Sequence, residues 1–195
     1  MAEPYLPQRA VPANAEVVSV EWLFEPHWPG DRIIARIEGD RAILTDAAGQ
    51  PVGPEVAPTL SAGVSAGSAV IDGVWMARAL GDGDNRAFVA VDLLELDGED
   101  LTVLPFQERR RLLESIIVAN DDVRLSPVVK HPVARWLDAW RANGFSHYLA
   151  KHQNSRYLAG EENEQWLDLS LAPDAPAGIL AGMFGRRDHV RRIRD

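Results

Sequence analysis

From Val17 to Leu96 the chain consists of short apolar runs, several of them separated by breaks too brief to hold a helix. Residues 17–24 (VVSVEWLF), 31–38 (DRIIARIE) and 41–46 (RAILTD) are rich in β-branched and apolar side chains, with Gly30 and Glu38-Gly39-Asp40 as turns. Residues 68–77 (SAVIDGVWMA) and 86–96 (RAFVAVDLLEL) form a second pair, divided by the turn Gly81-Asp82-Gly83-Asp84-Asn85. Strands joined by so few residues must run antiparallel, because a parallel partner needs a crossover of a dozen residues or more. Residues 47–67, rich in Ala, Gly, Pro and Ser, read mainly as loop.

Helical spacing takes over after Leu104-Pro105. In PFQERRRLLESIIV the apolar residues Phe106, Leu112, Leu113, Ile116 and Ile117 recur at helical intervals, and Pro105 suits a first turn. VRLSP reads as a strand, and PVARWLDAWRANG as a second helix that gathers Val133, Trp136, Leu137 and Trp140 on one face and stops at Asn143-Gly144. FSHYLAK and EQWLDLS read as the last strands, joined by a turn through 154–160; Lys130 falls in a loop. The expected class is α+β with mainly antiparallel sheets. Residues 1–16 read as an extended arm, 17–170 as the domain, and 171–195 as a Pro/Gly linker with an arginine-rich tail.

Among 195 residues there is no cysteine, which removes structural disulfides, thiolate metal sites and cysteine nucleophiles from consideration. No apolar stretch approaches the ~20 residues of a membrane span, so the expectation is a cytoplasmic protein without a membrane partner. Of 20 basic residues only Lys130 and Lys151 are lysine, and the formal net charge is −9. Residues 186–195 (RRDHVRRIRD) carry a local +3, so the remaining 185 carry −12. The tail is either a solvated polar end or a contact for an acidic partner or a nucleic-acid backbone. Asp82, Asp84, Asp92, Glu95, Asp97, Glu99 and Asp100 crowd one region around a single base, Arg86, and read as a solvated loop. His147 and His152, five apart on a strand, point to opposite faces and make no metal pair. Asp82-Gly83-Asp84-Asn85 lacks the glutamate that would complete a calcium loop, and no glycine-rich phosphate loop appears.

The order of the remaining segments is more specific. Glu25-Pro26-His27-Trp28-Pro29-Gly30-Asp31-Arg32 follows a strand; then come Asp72-Gly73, Asp92-Leu93-Leu94, Leu104-Pro105 with Arg109, Gly144 to Lys151, Tyr157 with Gly160, and Trp166-Leu167. In this order and spacing the series resembles the adenylation (nucleotidyltransferase) domain of ATP-dependent DNA ligases, over about residues 17–170. The resemblance implies two mainly antiparallel sheets with flanking helices around an ATP cleft, and the formation of a lysyl-AMP that is passed on to nicked DNA. It also implies ATP or AMP with Mg²⁺ as ligands, Glu25, His27, Arg32 and Lys151 as cofactor-binding positions, and an OB-fold for which too few residues follow Leu167.

The chemical positions depart from that family pattern. His27 stands in place of the nucleophilic lysine of Glu-x-Lys-x-Asp-Gly-x-Arg, and Pro29 in place of its aspartate, while Glu25, Gly30 and Arg32 remain. Asp-Gly-Glu has become Asp72-Gly73-Val74, and Val91 replaces the aromatic that stacks on adenine. Ser146-His147 replace Glu-Gly ahead of a retained Lys151, and Trp-Leu-Lys-x-Lys reads Trp166-Leu167-Asp168-Leu169-Ser170. Asp168 would repel a triphosphate where a cation should neutralise it. An imidazole can form a phosphoramidate, but His27 is shorter than lysine and lacks supporting cations and carboxylates. The expectation is a degenerate, catalytically inactive member that serves as a binding module, with no catalytic residue and no metal ligand assigned. Its partner would be DNA or a repair protein, met through Arg186, Arg187, Arg191, Arg192 and Arg194. The alternatives are a weak nucleotidyltransferase or a reversible ATP/AMP sensor.

Overall fold

The computed structural model describes residues 5–52, 57–76, 86–171 and 191–193. Its strands are β1 (Arg9–Ala13), β2 (Ala15–Val17), β3 (Trp22–Pro26), β4 (Asp31–Glu38), β5 (Arg41–Asp46), β6 (Ser68–Met76), β7 (Ala87–Leu96), β8 (Glu99–Asp100), β9 (Val123–Leu125), β10 (Val129–Lys130), β11 (His147–His152), β12 (Glu162–Ser170) and β13 (Arg191–Ile193). The helices are α1 (Ala57–Ala62), α2 (Phe106–Ile116) and α3 (Ala134–Ala142). One sheet has the order β1-β12-β11-β3-β10; a second has β5-β4-β6-β7-β8, with β9 alongside β7; β2 and β13 pair by themselves. Pairing is antiparallel except for β1 with β12, β7 with β9, and β2 with β13. The α+β class and the two mainly antiparallel sheets with flanking helices are therefore present.

Period-two alternation sorts the side chains into layers. On β4, Ile33, Ala35 and Ile37 join Leu60, Leu113 and Ile116 under α1 and α2. Ile34 points the other way and meets Trp166 and Tyr157 between the sheets. On the first sheet Trp22, Phe24, Ala150, Leu167 and Leu169 pack toward Val133 and Trp140 at α3. The odd-numbered face of β3, with Leu23 and Glu25, and the His147, Leu149 and Lys151 face of β11 therefore look inward, as do Trp166 and Asp168 on β12. The architecture is helix, sheet, sheet, helix, and the inter-sheet layer is where polar residues collect.

Some local details differ from the sequence reading. Residues 17–24 do not form one strand, because the Ser19 hydroxyl accepts the Glu21 N–H at 3.0 Å and turns the chain. The stretch 47–67 contains α1, and Lys130 lies in β10 rather than a loop. On α3 Trp140 is buried while Trp136 is 46% exposed. Asp92 is no loop residue: it is buried on β7 and paired with Arg109 of α2. The turn from β7 to β8 is Asp97-Gly98, both at positive φ (48° and 86°), as a tight two-residue hairpin requires. The turn expected at 81–85 and the tail arginines Arg186, Arg187 and Arg194 lie outside the described residues. Arg191 and Arg192 fall on β13, which pairs with β2.

Candidate functional site

Three carboxylates meet three cations in pairs. Lys151, fully buried on β11, reaches diagonally to Glu25 on β3, with 2.5 Å between Nζ and Oε1. The ammonium also sits 3.8 Å from the centre of the Trp166 ring and 4.9 Å from that of Phe106, so aromatic faces flank it. Burial pushes the Lys151 pKa down, against the attraction of Glu25 and Asp92.

Arg32 belongs to a second pair. It forks onto the buried Asp72, its diagonal neighbour across the β4–β6 ladder, with Nε to Oδ1 at 2.5 Å and Nη2 to Oδ2 at 2.6 Å. Burial alone would lower the arginine pKa, but the adjacent Asp72 carboxylate outweighs it and raises it. The Tyr157 hydroxyl donates to Asp72 Oδ2 at 2.6 Å and accepts the Gln8 N–H at 2.9 Å, which ties the N-terminal segment into the network. Tyr157 is raised well above its ordinary pKa by burial and by Asp72. A third pair, Arg109 with Asp92, has no exposure on either side chain; Arg109 Nη1 also donates to the Leu104 and Ser155 carbonyls.

His27 lies just beyond β3, and its N–H donates to the His147 carbonyl at 3.1 Å. Its Nδ1 is 3.2 Å from Asp168 Oδ1, and the Nδ1 of His147 is 2.9 Å from the same oxygen. Of the sequence-predicted positions, Glu25 and Lys151 form one unit, Arg32 belongs to a second, and His27 to a third. The third was not legible as a group. His147 and Asp168 become diagonal neighbours only through the β11–β12 register, in which Leu149 faces Asp168. His152 instead pairs with Glu21 at 3.2 Å.

The space left between the sheets is divided. A cavity of about 340 Å³ is lined by Gln8, Arg9, His27, Arg32, Trp166 and Asp168 among others. A second, of about 70 Å³, touches Glu25, Trp28, Gly30, Val74, Val91 and Leu149. The resemblance sets adenine beside Glu25 and the position of Val91, hence in the smaller cavity. Glu25 Oε2 has no hydrogen-bond partner there, so an acceptor for a ligand exists. The room does not: ligand pockets start at roughly 300 Å³. Trp28 fills this end, packed on Val74, Met76, Val89 and Val91, 5.0 Å from the Phe145 ring centre, with its indole N–H on Ser126 Oγ.

The residues fit Mg²⁺ no better. Mg²⁺ asks for a near-octahedral shell of hard oxygen ligands. Glu25, Asp72 and Asp92 are each held by a cation, and Asp168 is flanked by two imidazoles.

Comparison with known proteins agrees with this architecture. The model of the "ATP dependent DNA ligase domain" family matches residues 78–169. A DNA ligase of Thermococcus onnurineus is 25% identical over 223 aligned positions, covering 96% of this chain but 40% of its own length. The multifunctional non-homologous end joining DNA repair protein LigD of Mycobacterium tuberculosis is 28% identical, over 75% of this chain and 21% of its own. Among solved structures, mycobacterial DNA ligase D complexed with ATP and MES superposes with a TM-score of 0.71 at 25% identity, covering 85% of this chain and 60% of that one. The chain thus spans 21–60% of the length of these relatives, and its fold is that of a DNA ligase adenylation domain.

Proposed function

We propose that this member of the ATP-dependent DNA ligase adenylation-domain family has kept the scaffold and given up self-adenylation, and that it acts as a binding module in DNA repair. One observation carries the reading: the charged groups that would face a nucleotide face each other instead. Lys151 is spent on Glu25 and Arg32 on Asp72, while the carboxylate of Asp168 borders the larger cavity. A triphosphate entering there would meet Asp168 and would have to break a buried ion pair to recruit a cation, at a cost of about 3–5 kcal/mol. The link to repair rests on the similarity to LigD and to other ligases, and the partner is DNA or a repair protein.

Incubating the full chain with ATP and Mg²⁺ or Mn²⁺ and measuring its intact mass tests this. The expected result is no AMP adduct and no nucleotide-dependent rise in melting temperature. An adduct that disappears in His27→Ala would overturn the reading in favour of a weak nucleotidyltransferase. A melting shift with ATP or AMP, without an adduct, would overturn it in favour of a reversible sensor.

A further inference from the structure

Three of the residues that depart from the ligase pattern converge in space. His27 stands at the nucleophile position, His147 at the glycine before Lys151, and Asp168 at the first lysine of the last motif. They lie 20 or more residues apart in the chain, yet all occupy the inward face of the first sheet. One ligating atom from each falls within 4.8 Å of the others. We propose that His27, His147 and Asp168 bind one divalent transition-metal ion of the zinc, cobalt or nickel type at the mouth of the inter-sheet cleft.

The donor set selects the ion. Two imidazole nitrogens and one carboxylate oxygen suit borderline transition metals, whereas Mg²⁺ and Ca²⁺ require oxygen shells. Arms of about 2.0–2.2 Å in a tetrahedral site place ligand atoms roughly 3.3–3.6 Å from one another. The two Nδ1-to-Asp168 distances, 3.2 and 2.9 Å, fall a few tenths of an ångström short of that spacing. Without a metal, Asp168 Oδ1 accepts a hydrogen bond from His147 Nδ1, with His27 Nδ1 3.2 Å away; with one, each neutral imidazole carries its proton on Nε2 and offers the Nδ1 lone pair.

The surroundings permit entry and leave a coordination position open. The His27 and His147 side chains are 42% and 46% exposed, and Asp168 20%, so an ion reaches them from solvent. His27 and Asp168 also line the 340 Å³ cavity, so water or a small anion there completes the shell. Of the cations in the cavity wall, Arg32 is neutralised by Asp72, and Arg9 lies 3.9 Å from Glu162. Replacing two lysines of the family pattern by His27 and Asp168 removes the positive charge that would repel an ion.

The experiment uses the full chain, stripped with chelator and exchanged into metal-free buffer, with no nucleotide present, so its outcome is separate from that of the adenylation assay. Calorimetric titration with Zn²⁺ should give one equivalent with a Kd of about 10 μM or tighter, and Co²⁺ should give the visible band of a four- or five-coordinate site. His27→Ala, His147→Ala and Asp168→Ala should each weaken Zn²⁺ binding at least about tenfold. His152→Ala, which removes the histidine paired with Glu21, should leave it unchanged. Lack of Zn²⁺ binding below about 100 μM would overturn the proposal, as would equal affinity in the three site variants or an equal loss in His152→Ala.

Discussion

Replacing Lys151 by methionine separates a structural lysine from one kept for phosphate. Lys151→Met removes the ammonium but leaves the Glu25 carboxylate almost wholly buried, its paired cation gone. Breaking one side of such a pair costs about 3–5 kcal/mol. For a chain of this length each kcal/mol moves the melting temperature by about 2–4 °C, so a fall of about 6–20 °C is expected. The Glu25→Leu, Lys151→Met double variant removes both charges and should recover to within about 1–2 kcal/mol of the parent, since apolar replacement of a whole buried pair is often neutral. The pH dependence provides a second reading. The folded-state pKa of Lys151 lies below 10.5, so between the two values unfolding takes up a proton and stability rises with pH. Lys151→Met should flatten that rise. Urea titrations of the four proteins of the cycle, at several pH values, measure both effects. Single variants that each cost under about 1 kcal/mol, or a double variant equal to their sum, would refute the argument.

Arg109→Met leaves Asp92 buried and frees the Leu104 and Ser155 carbonyls, so a loss of about 3–5 kcal/mol is expected by urea unfolding; a loss under 1 kcal/mol would contradict the assigned network. All three tyrosines are raised: Tyr5 to about 12 by burial and its acidic neighbours Asp100 and Glu95, Tyr148 chiefly by burial, and Tyr157 by burial and Asp72. Since each binds its proton more tightly folded than unfolded, stability falls as pH rises above 10. A phenolate absorbance titration of the folded protein should therefore show no tyrosine ionising at 10, and one that does would count against the packing described.

Much of the layering was legible because it follows from period alone. The β4 and β5 boundaries coincide with the apolar runs at 31–38 and 41–46, and α2 with the 3.6-residue spacing after Pro105. Pairing between distant strands was not, since alternation tells which residues share a face but not which strand lies beside which. For that reason Asp92 read as part of an acidic loop, although its partner Arg109 stands on a helix 17 residues away. The same holds for Lys151: its burial depends on Trp166 and Phe106 closing over it, and neither is near it in sequence. The ligase-like motifs located Glu25, His27, Arg32 and Lys151. They could not say that the charged ones had turned to one another.

The two large sheets differ in how they are drawn from the chain. The six-stranded sheet uses one continuous stretch, from Asp31 to Leu125, whereas the five-stranded one joins residues 9–26 to residues 129–170 around it. As the chain leaves the ribosome, the first sheet has all its strands once Leu125 has emerged. Strands β1 and β3 must then wait, with their edges open, for β10, β11 and β12. Contacts of such long sequence separation close slowly. His27, His147 and Asp168 all ride on the late sheet, so their cluster assembles only after Asp168 has emerged, and a truncation before β12 would leave a formed six-stranded sheet carrying an unpaired β1.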